Sequence, residues 1–382
     1  MELETIQLKK GTASKATPPK FREATFEDYP QIAALESRYG LNPKSYEEWK
    51  HLWVANPAYQ NFPRWPIGWV GENDDKEIVG CVSNIPLAYE FNGEPLVVAT
   101  SRSFVVDSRY RAYSLSLLAH FFNQKNVDLF LNTTVNAQAL KLQEVFRAAR
   151  VPTGTWNRSA FWITSYRAFS ASLLAKSRVY GASLLSYPAS AGLFLRDKLR
   201  SGMWQSAGHH TPVSLCSRFD DRFNVFWERI RKQNSNRLLA VRSREILEWH
   251  FQYALAKNRA WVLTSSNGDE LSAYAIFCRQ DNPGLELERM RLVDFQALDG
   301  QAELLKPMLL HALEMCQREG IHMMEAIGFS AEKERAIEGA NPYYRELASW
   351  RYFYRATDRQ LALSLQNPGA WDPTCFDGDS SL

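Results

Sequence analysis

The sequence predicts an α+β protein, a mixed α/β chain of antiparallel-rich sheets flanked by helices. Three observations predict it. The 382 residues exceed one ordinary domain and suit two, at roughly 100–200 residues each. Short apolar runs rich in Val, Ile and Phe alternate with amphipathic helical windows instead of segregating from them. Finally, the order strand-strand-strand-helix-strand-helix-strand occurs in both halves of the chain, without evident identity between the copies.

The first half reads as follows. Residues 1–19 are polar, contain a Pro-Pro pair, and are expected to be a flexible leader. A strand over Lys20–Thr25 precedes a helix over Tyr29–Tyr39, with Thr25 as its cap and Asp28 in its first turn. Ser45, followed by Glu48, opens a second helix to Val54 through a capping box. Ile67–Glu72 and Glu77–Phe91 read as a hairpin, and Asn92-Gly93 as the turn into a strand over Leu96–Val106. A helix over Tyr113–Gln124, a buried strand over Val127–Thr133, a helix over Ala137–Ala149 and a strand over Ala160–Thr164 complete a domain of residues 20–165.

Residues 166–211 carry no strand signal and are expected to form a basic helical linker. Residues 179–195 are uncharged, Ser- and Ala-rich, and flanked by Lys176, Arg178, Arg196, Lys198 and Arg200. An alternative for 176–200 is weak peripheral contact with a membrane, because basic flanks suit anionic headgroups. A second domain follows over 212–382, with helices over Glu245–Tyr253, Glu303–Glu319 and Ala331–Glu338. Its strands are Ala260–Ser265, Glu270–Arg279, Leu285–Phe295, Met323–Ile327 and Trp350–Arg355. The acidic stretch from Trp371 to Leu382 is expected to be a tail over this domain.

Bulk properties narrow the function. A net charge of +3 gives no ground for a DNA partner. Cys81, Cys216, Cys278, Cys316 and Cys375 show no CxxC spacing, which argues against a disulfide framework or a zinc site, so no metal is expected. The first residues lack the apolar core of a secretory signal, and no run reaches the roughly 20 apolar residues of a membrane span. The expected location is the cytoplasm. His209-His210 lies in a Gly/Ser stretch without nearby acids and reads as loop surface, while His250 and His322 read as structural histidines. Trp49, Trp53, Trp65 and Trp69 read as core by spacing, with a wall for an acceptor as the alternative.

The segment that carries chemistry is Phe104–Phe122. A strand ends at Val106, a turn follows, and a helix starts near Tyr113. A helix N-terminus offers backbone N–H groups and the positive end of a dipole, which suits a pyrophosphate. Ala112, Ser114 and Ser116 keep the turn small, and Arg111 adds a forked cation.

This segment resembles the cofactor motif of the GNAT superfamily of acyl-CoA N-acyltransferases, V-x-P-x-Y-R-G-x-G-x-G. Val106, Ser108, Tyr110, Arg111, Ala112, Ser114 and Ser116 stand at its Val, Pro, Tyr, Arg and Gly positions. Upstream, residues 21–35 look like the family's first strand and helix; downstream, Asn136 stands where an Asn faces coenzyme A. The second half looks like a further, degenerate copy, so the resemblance implies tandem GNAT-like folds. It implies acetyl-CoA or another acyl-CoA as co-substrate. Pantetheine would run along Phe104, Val105 and Val106, and pyrophosphate would sit on Arg111, Ala112, Tyr113, Ser114, Leu115 and Ser116. The acceptor would be an amine on a small molecule, a sugar or a peptide.

The chain departs from the family at several positions. The three glycines are replaced. Gln143 stands where many members carry a Tyr acid, and Arg102 where many carry a Glu base; neither transfers a proton at neutral pH. A second reading therefore stands beside acyl transfer, a non-catalytic GNAT-like binding protein of a surface-polysaccharide or envelope pathway; the basic middle segment motivates a third, an aminoacyl-tRNA-dependent peptidyl transferase, which also pairs two GNAT-like domains. In the second half, the stretch equivalent to the motif carries Gly300 but also Asp294 and Asp299, which would repel phosphate, so coenzyme A is not expected there in the usual way.

Overall fold

The computed structural model describes residues 17–62, 64–154, 156–176, 187, 190–196, 212–348 and 350–382. Most of the expected leader, most of 176–200 and the His209-His210 pair lie outside the described residues. The strands of the first half are β1 (Lys20–Glu23), β2 (Gly68–Glu72), β3 (Ile78–Phe91), β4 (Glu94–Val106), β5 (Leu129–Asn132), β6 (Ala149–Arg150) and β7 (Arg158–Ile163). Those of the second half are β8 (Ser214–Cys216), β9 (Leu239–Ala240), β10 (Ala260–Asn267), β11 (Glu270–Arg279), β12 (Arg289–Ala297), β13 (Met323–Ile327), β14 (Tyr343–Glu346) and β15 (Phe353–Ala356). Contacts divide the chain into two compact units, through both of which β3 and β4 run.

The first unit comprises Met1–Tyr46, Pro66–Asn84 and Arg102–Asn123. β1 and β2 are antiparallel, with Lys20 opposite Glu72, and β2 pairs with β3, with Gly68 opposite Ser83. Arg22 bonds both oxygens of Asp28 at 2.7 and 2.8 Å and Glu72 at 3.1 Å. Thr25 stands at the start of the helical run as expected, but it caps a 3-10 turn over Phe26–Asp28, and Asp28 reciprocates by accepting from the Thr25 backbone N–H at 2.8 Å. The helix Tyr29–Arg38 buries Ile32 and Leu35, and the helix Ser114–Phe122 buries Leu117, Leu118, Phe121 and Phe122. Gly80 lets this second helix approach: a Cβ there would lie 3.2 Å from Leu117 Cδ2.

The second unit comprises Glu47–Trp65, Ile85–Ser101 and Gln124–Leu382. Its first sheet joins the rest of β3 and β4 to β5, β15 and β6, with β9 on β3. The hairpin turn is Asn92-Gly93, both at positive φ (54° and 80°), as expected from that pair. β4 and β5 are parallel from Val98–Leu129 to Thr100–Leu131. The second sheet runs β14-β7-β13-β12-β11-β10-β8, with β12 and β13 parallel from Arg289–Met323 to Leu292–Ala326.

The final strand of each half is exchanged. β7 pairs with β13 and β14 in the second sheet, and β15 lies between β5 and β6 in the first. Sequence periodicity identifies such strands but not their partners. The helix expected over Ala137–Ala149 is only Leu140–Val145, because Arg147 turns left-handed (φ 55°) and Ala149 enters β6. β12 starts at Arg289, after a 3-10 turn over Pro283–Leu285 and a left-handed Glu286 (φ 47°). A helix not expected from the sequence, Asp221–Gln233, buries Phe223, Phe226, Trp227 and Ile230 in the core with Phe251, Tyr274 and Trp371.

The stretch after Trp371 is not a surface tail. Thr374 and Cys375 are fully buried. Thr374 Oγ1 donates to Asp294 of β12 at 2.9 Å, and Cys375 Sγ donates to the Ile327 carbonyl of β13 at 3.5 Å. The C-terminal segment therefore occupies the place where these parallel strands part. No helix among the described residues is long and apolar enough to cross a membrane, and none of their His, Cys, Asp and Glu side chains forms a group of three suited to a metal ion.

Candidate functional site

The first unit places the predicted donor residues other than Asn136 on one continuous strand, turn and helix. Ser103 of β4 has φ 57°, so the strand is kinked one residue before Phe104. A non-glycine residue held left-handed inside a strand costs of order 1 kcal/mol or more and marks a bulge-like irregularity. Phe104 and Val106 are half-buried and Val105 is buried. Beyond Val106 the chain turns on Asp107. Its backbone N–H donates to Val79 at 2.8 Å, and its Oδ1 accepts from the Arg109 N–H at 3.0 Å. Arg38 reaches Oδ2 at 3.3 Å, and the Tyr39 hydroxyl accepts from the Ser108 N–H at 2.7 Å. Burial alone would raise the Asp107 pKa, but the Arg109 backbone N–H and guanidinium, with Arg38, hold it below the usual carboxylate range. Asp107 thus fixes the turn as an anion.

Residues Ser108–Tyr113 form a 3-10 turn that runs directly into the helix Ser114–Phe122. Part of the backbone donor set is spent inside this turn; the Ser114 N–H, for one, donates to the Arg111 carbonyl. No residue from Asp107 to Ser116 has positive φ. The loop therefore takes Ala112, Ser114 and Ser116 without the strain that a left-handed position would impose on a Cβ. Arg111, Ala112, Leu115 and Ser116 are exposed, and Tyr113 and Ser114 half-buried. The Arg111 guanidinium has no acceptor among the described residues, whereas Arg109 is held by Asp107 at 3.3 Å. The helix N-terminus has no side-chain cap. An exposed, unspent guanidinium beside an uncapped helix start is suited to an anion.

In the second unit, the apex of the β4–β5 split is a buried amide network. Asn132 Oδ1 accepts from Ser101 Oγ at 2.5 Å, and its Nδ2 donates to Gln143 Oε1 at 3.1 Å. Gln143 is therefore a partner that holds Asn132, which the sequence did not reveal. Asn136 is exposed, and its Oδ1 accepts from the Ala139 N–H at 3.0 Å; its Nδ2 is bonded to no described residue. Trp49, Trp53, Trp65 and Trp69 are all buried.

The equivalent loop after β12 differs. A cavity of about 300 Å³ there is lined by Arg237, Asp299, Glu332, Lys333 and Asp372, among others. Both cations face Asp372, Lys333 at 2.8 Å and Arg237 at 3.8 Å. Deeper, Asp294 accepts from Arg242 Nε at 2.8 Å and from the Tyr274 hydroxyl at 2.9 Å. Burial opposes ionisation of Asp294, but Arg242 holds its pKa below the usual range.

No protein-family model matches the chain, and no curated protein matches it by sequence. Solved structures do match. A GCN5-related N-acetyltransferase from Anabaena variabilis superposes with TM-score 0.51 and 11% identity, covering 89% of this chain and 73% of its own. Saccharomyces cerevisiae N-myristoyltransferase with bound myristoyl-CoA and inhibitors gives TM-score 0.55 and 11% identity, covering 89% and 81%. The chain has a GNAT-like fold, with antiparallel-dominated sheets flanked by helices.

Proposed function

We propose that this chain is an acyl-CoA-dependent N-acyltransferase whose donor site is built from Phe104, Val105, Val106, Arg111, Ala112, Tyr113, Ser114, Leu115 and Ser116. The observation that carries the reading is the exposed Arg111, without an acceptor among the described residues, beside the uncapped helix Ser114–Phe122, directly after a kinked β4. Pyrophosphate would lie on Arg111 and the helix start, and pantetheine along Phe104–Val106. Among its structural neighbours, N-myristoyltransferase is seen with myristoyl-CoA bound, which supports an acyl-CoA donor in general. In the reaction the lone pair of a neutral acceptor amine attacks the thioester carbonyl. The C–N bond forms, the C–S bond breaks, the thiolate leaves, and the amine proton passes to water or to the thiolate.

Gln143 supplies no proton, since it accepts from Asn132 and is not an acid. This favours unassisted thiolate departure, and it equally suits a second reading: a GNAT-like binding protein without turnover. Calorimetry with acetyl-CoA and myristoyl-CoA, followed by thiol release in the presence of amines, separates the two. Saturable binding with thiol release is expected. Binding without release to any amine would leave the second reading, and no binding at millimolar acyl-CoA to folded protein would remove the first.

A further inference from the structure

Glu36 is 1% exposed, yet its carboxylate accepts no hydrogen bond among the described residues, and its Oε1 is fully buried. Burying an ionisable group without hydrogen bonds costs several kcal/mol unless a charge offsets it. The offsetting charge is Arg102 of β4, whose Nη1 lies 3.9 Å from Glu36 Oε1 and donates to Ser103 Oγ at 3.1 Å. That is the whole of Arg102's bonding to described residues: its Nη1 side is engaged, and its Nε–Nη2 edge has no acceptor. The Arg102 side chain is 16% exposed, so it is enclosed but not sealed. The other cations near this turn, Arg38 and Arg109, are committed to Asp107.

A guanidinium anchored on one side by a buried carboxylate, with its two-pronged edge unspent, is arranged to grip a planar carboxylate. The donor's own phosphates do not fit this position. Arg102 precedes Val106 by four residues, across the kink at Ser103, so by at most about 13 Å at the usual strand rise, and the loop offered to pyrophosphate lies beyond Val106. Arg102 is thus at the other end of the segment offered to pantetheine, where the thioester and the acceptor would meet.

We propose that Arg102, held by Glu36, recognises a carboxylate on the acceptor, so that the amine acylated belongs to an amino acid or a short peptide with a free carboxylate. This rests on the acyltransferase reading above and names the acceptor class of that site. Arg102 contacts the acceptor, and Glu36 is a positioning residue.

The test uses the full chain, an acyl-CoA that binds it, and a panel of amino acids and dipeptides beside their methyl esters, read by thiol release. The free acids are expected to react with kcat/KM at least tenfold above their esters. Arg102→Gln is expected to raise the acceptor KM for the acids at least tenfold, to abolish the preference over esters, and to leave acyl-CoA affinity unchanged. Arg102→Lys keeps the charge without the fork and should restore part of the preference. Glu36→Gln should raise the same KM by less. Equal rates for acids and esters in the wild-type protein need no variant to fold and would overturn the proposal. So would acyl-CoA binding with thiol release only to amines lacking a carboxylate, or to none. Absence of acyl-CoA binding is a different result, which removes the underlying reading itself.

Discussion

Thr374 Oγ1 donates to the Asp294 carboxylate at 2.9 Å, and through this bond the C-terminal segment closes the split between β12 and β13. In the first sheet the corresponding split between β4 and β5 has a different apex, where Ser101 and Gln143 meet Asn132. The loops that follow the two splits differ in the same sense. Arg111 is exposed after β4 and has no acceptor among the described residues, whereas the cations beside the loop after β12 are drawn to Asp372. Two similar orders of elements thus present unlike chemistry.

From this contrast we expect one acyl-CoA bound per chain, lost on Arg111→Glu. An exposed charge-assisted contact to phosphate contributes about 1.5–3 kcal/mol, and reversal adds repulsion. Affinity should fall by at least about tenfold, more at low salt than at high salt. Calorimetry at two ionic strengths checks both the stoichiometry and the loss. Unchanged affinity would take Arg111 out of the site.

Gly80 controls how closely the helix Ser114–Phe122 lies on β3. A Cβ there meets Leu117 Cδ2 at 3.2 Å and Val106 Cγ2 at 3.5 Å. Gly80→Ala is expected to be tolerated, because a side-chain end can yield. Gly80→Val adds two methyl groups to a filled space and should cost about 1–3 kcal/mol. The cost should appear in urea unfolding together with weaker acyl-CoA binding, since the same helix carries Ser114 and Ser116.

Much of this was legible in the sequence, and the rest was not for identifiable reasons. The Asn92-Gly93 turn, the Thr25 cap and the strand, turn and helix around Arg111 are local features, written in adjacent residues. The exchange of β7 and β15 is not local, because a short apolar run names its face and not its partner. The helix Asp221–Gln233 was hidden by its charged residues, although Asp220 caps it and Phe223, Phe226, Trp227 and Ile230 follow helical spacing. The C-terminal stretch looked like a tail because of its acids. Its Asp377 and Asp379 are instead engaged, Asp379 by Thr133 and Thr134 and Asp377 near Arg242. Glu36 and Arg102 meet only because a helix and a strand distant in sequence pack together.

The buried charges set the stability of the second unit. Arg242 sits between Asp294 and Asp377 and also bonds the Ala240 carbonyl at 2.9 Å. Removing one partner of a buried pair leaves a charge without compensation, which typically costs about 3–5 kcal/mol. Asp294→Ala should lower the free energy of unfolding by that amount and loosen the C-terminal segment, because Thr374 loses its acceptor. Denaturant titration gives the first, and hydrogen exchange at residues 371–378 the second. A loss below about 1 kcal/mol would show that the network is not a determinant of stability.

Asp377 gives the opposite sign of pH dependence from most paired carboxylates. Burial pushes its pKa up to about 6; Arg242 pulls it down, and Asp294 and Asp372 push it further up. In the unfolded chain its pKa is about 4. Between roughly pH 4 and pH 6 the native state therefore holds more protons than the unfolded state, and stability falls as pH rises through that window, then levels off. A shift of about two units corresponds to ~3 kcal/mol. Asp294, held low by Arg242, contributes stability above the ordinary carboxylate range and loses it only on stronger acidification, so the two effects occupy different windows. Asp377→Asn mimics the protonated group and removes only the upper one. The difference in unfolding free energy, wild type minus variant, should decline by ~3 kcal/mol from about pH 4 to about pH 7. A constant difference across that range would mean that Asp377 carries the same charge in the folded and unfolded chain.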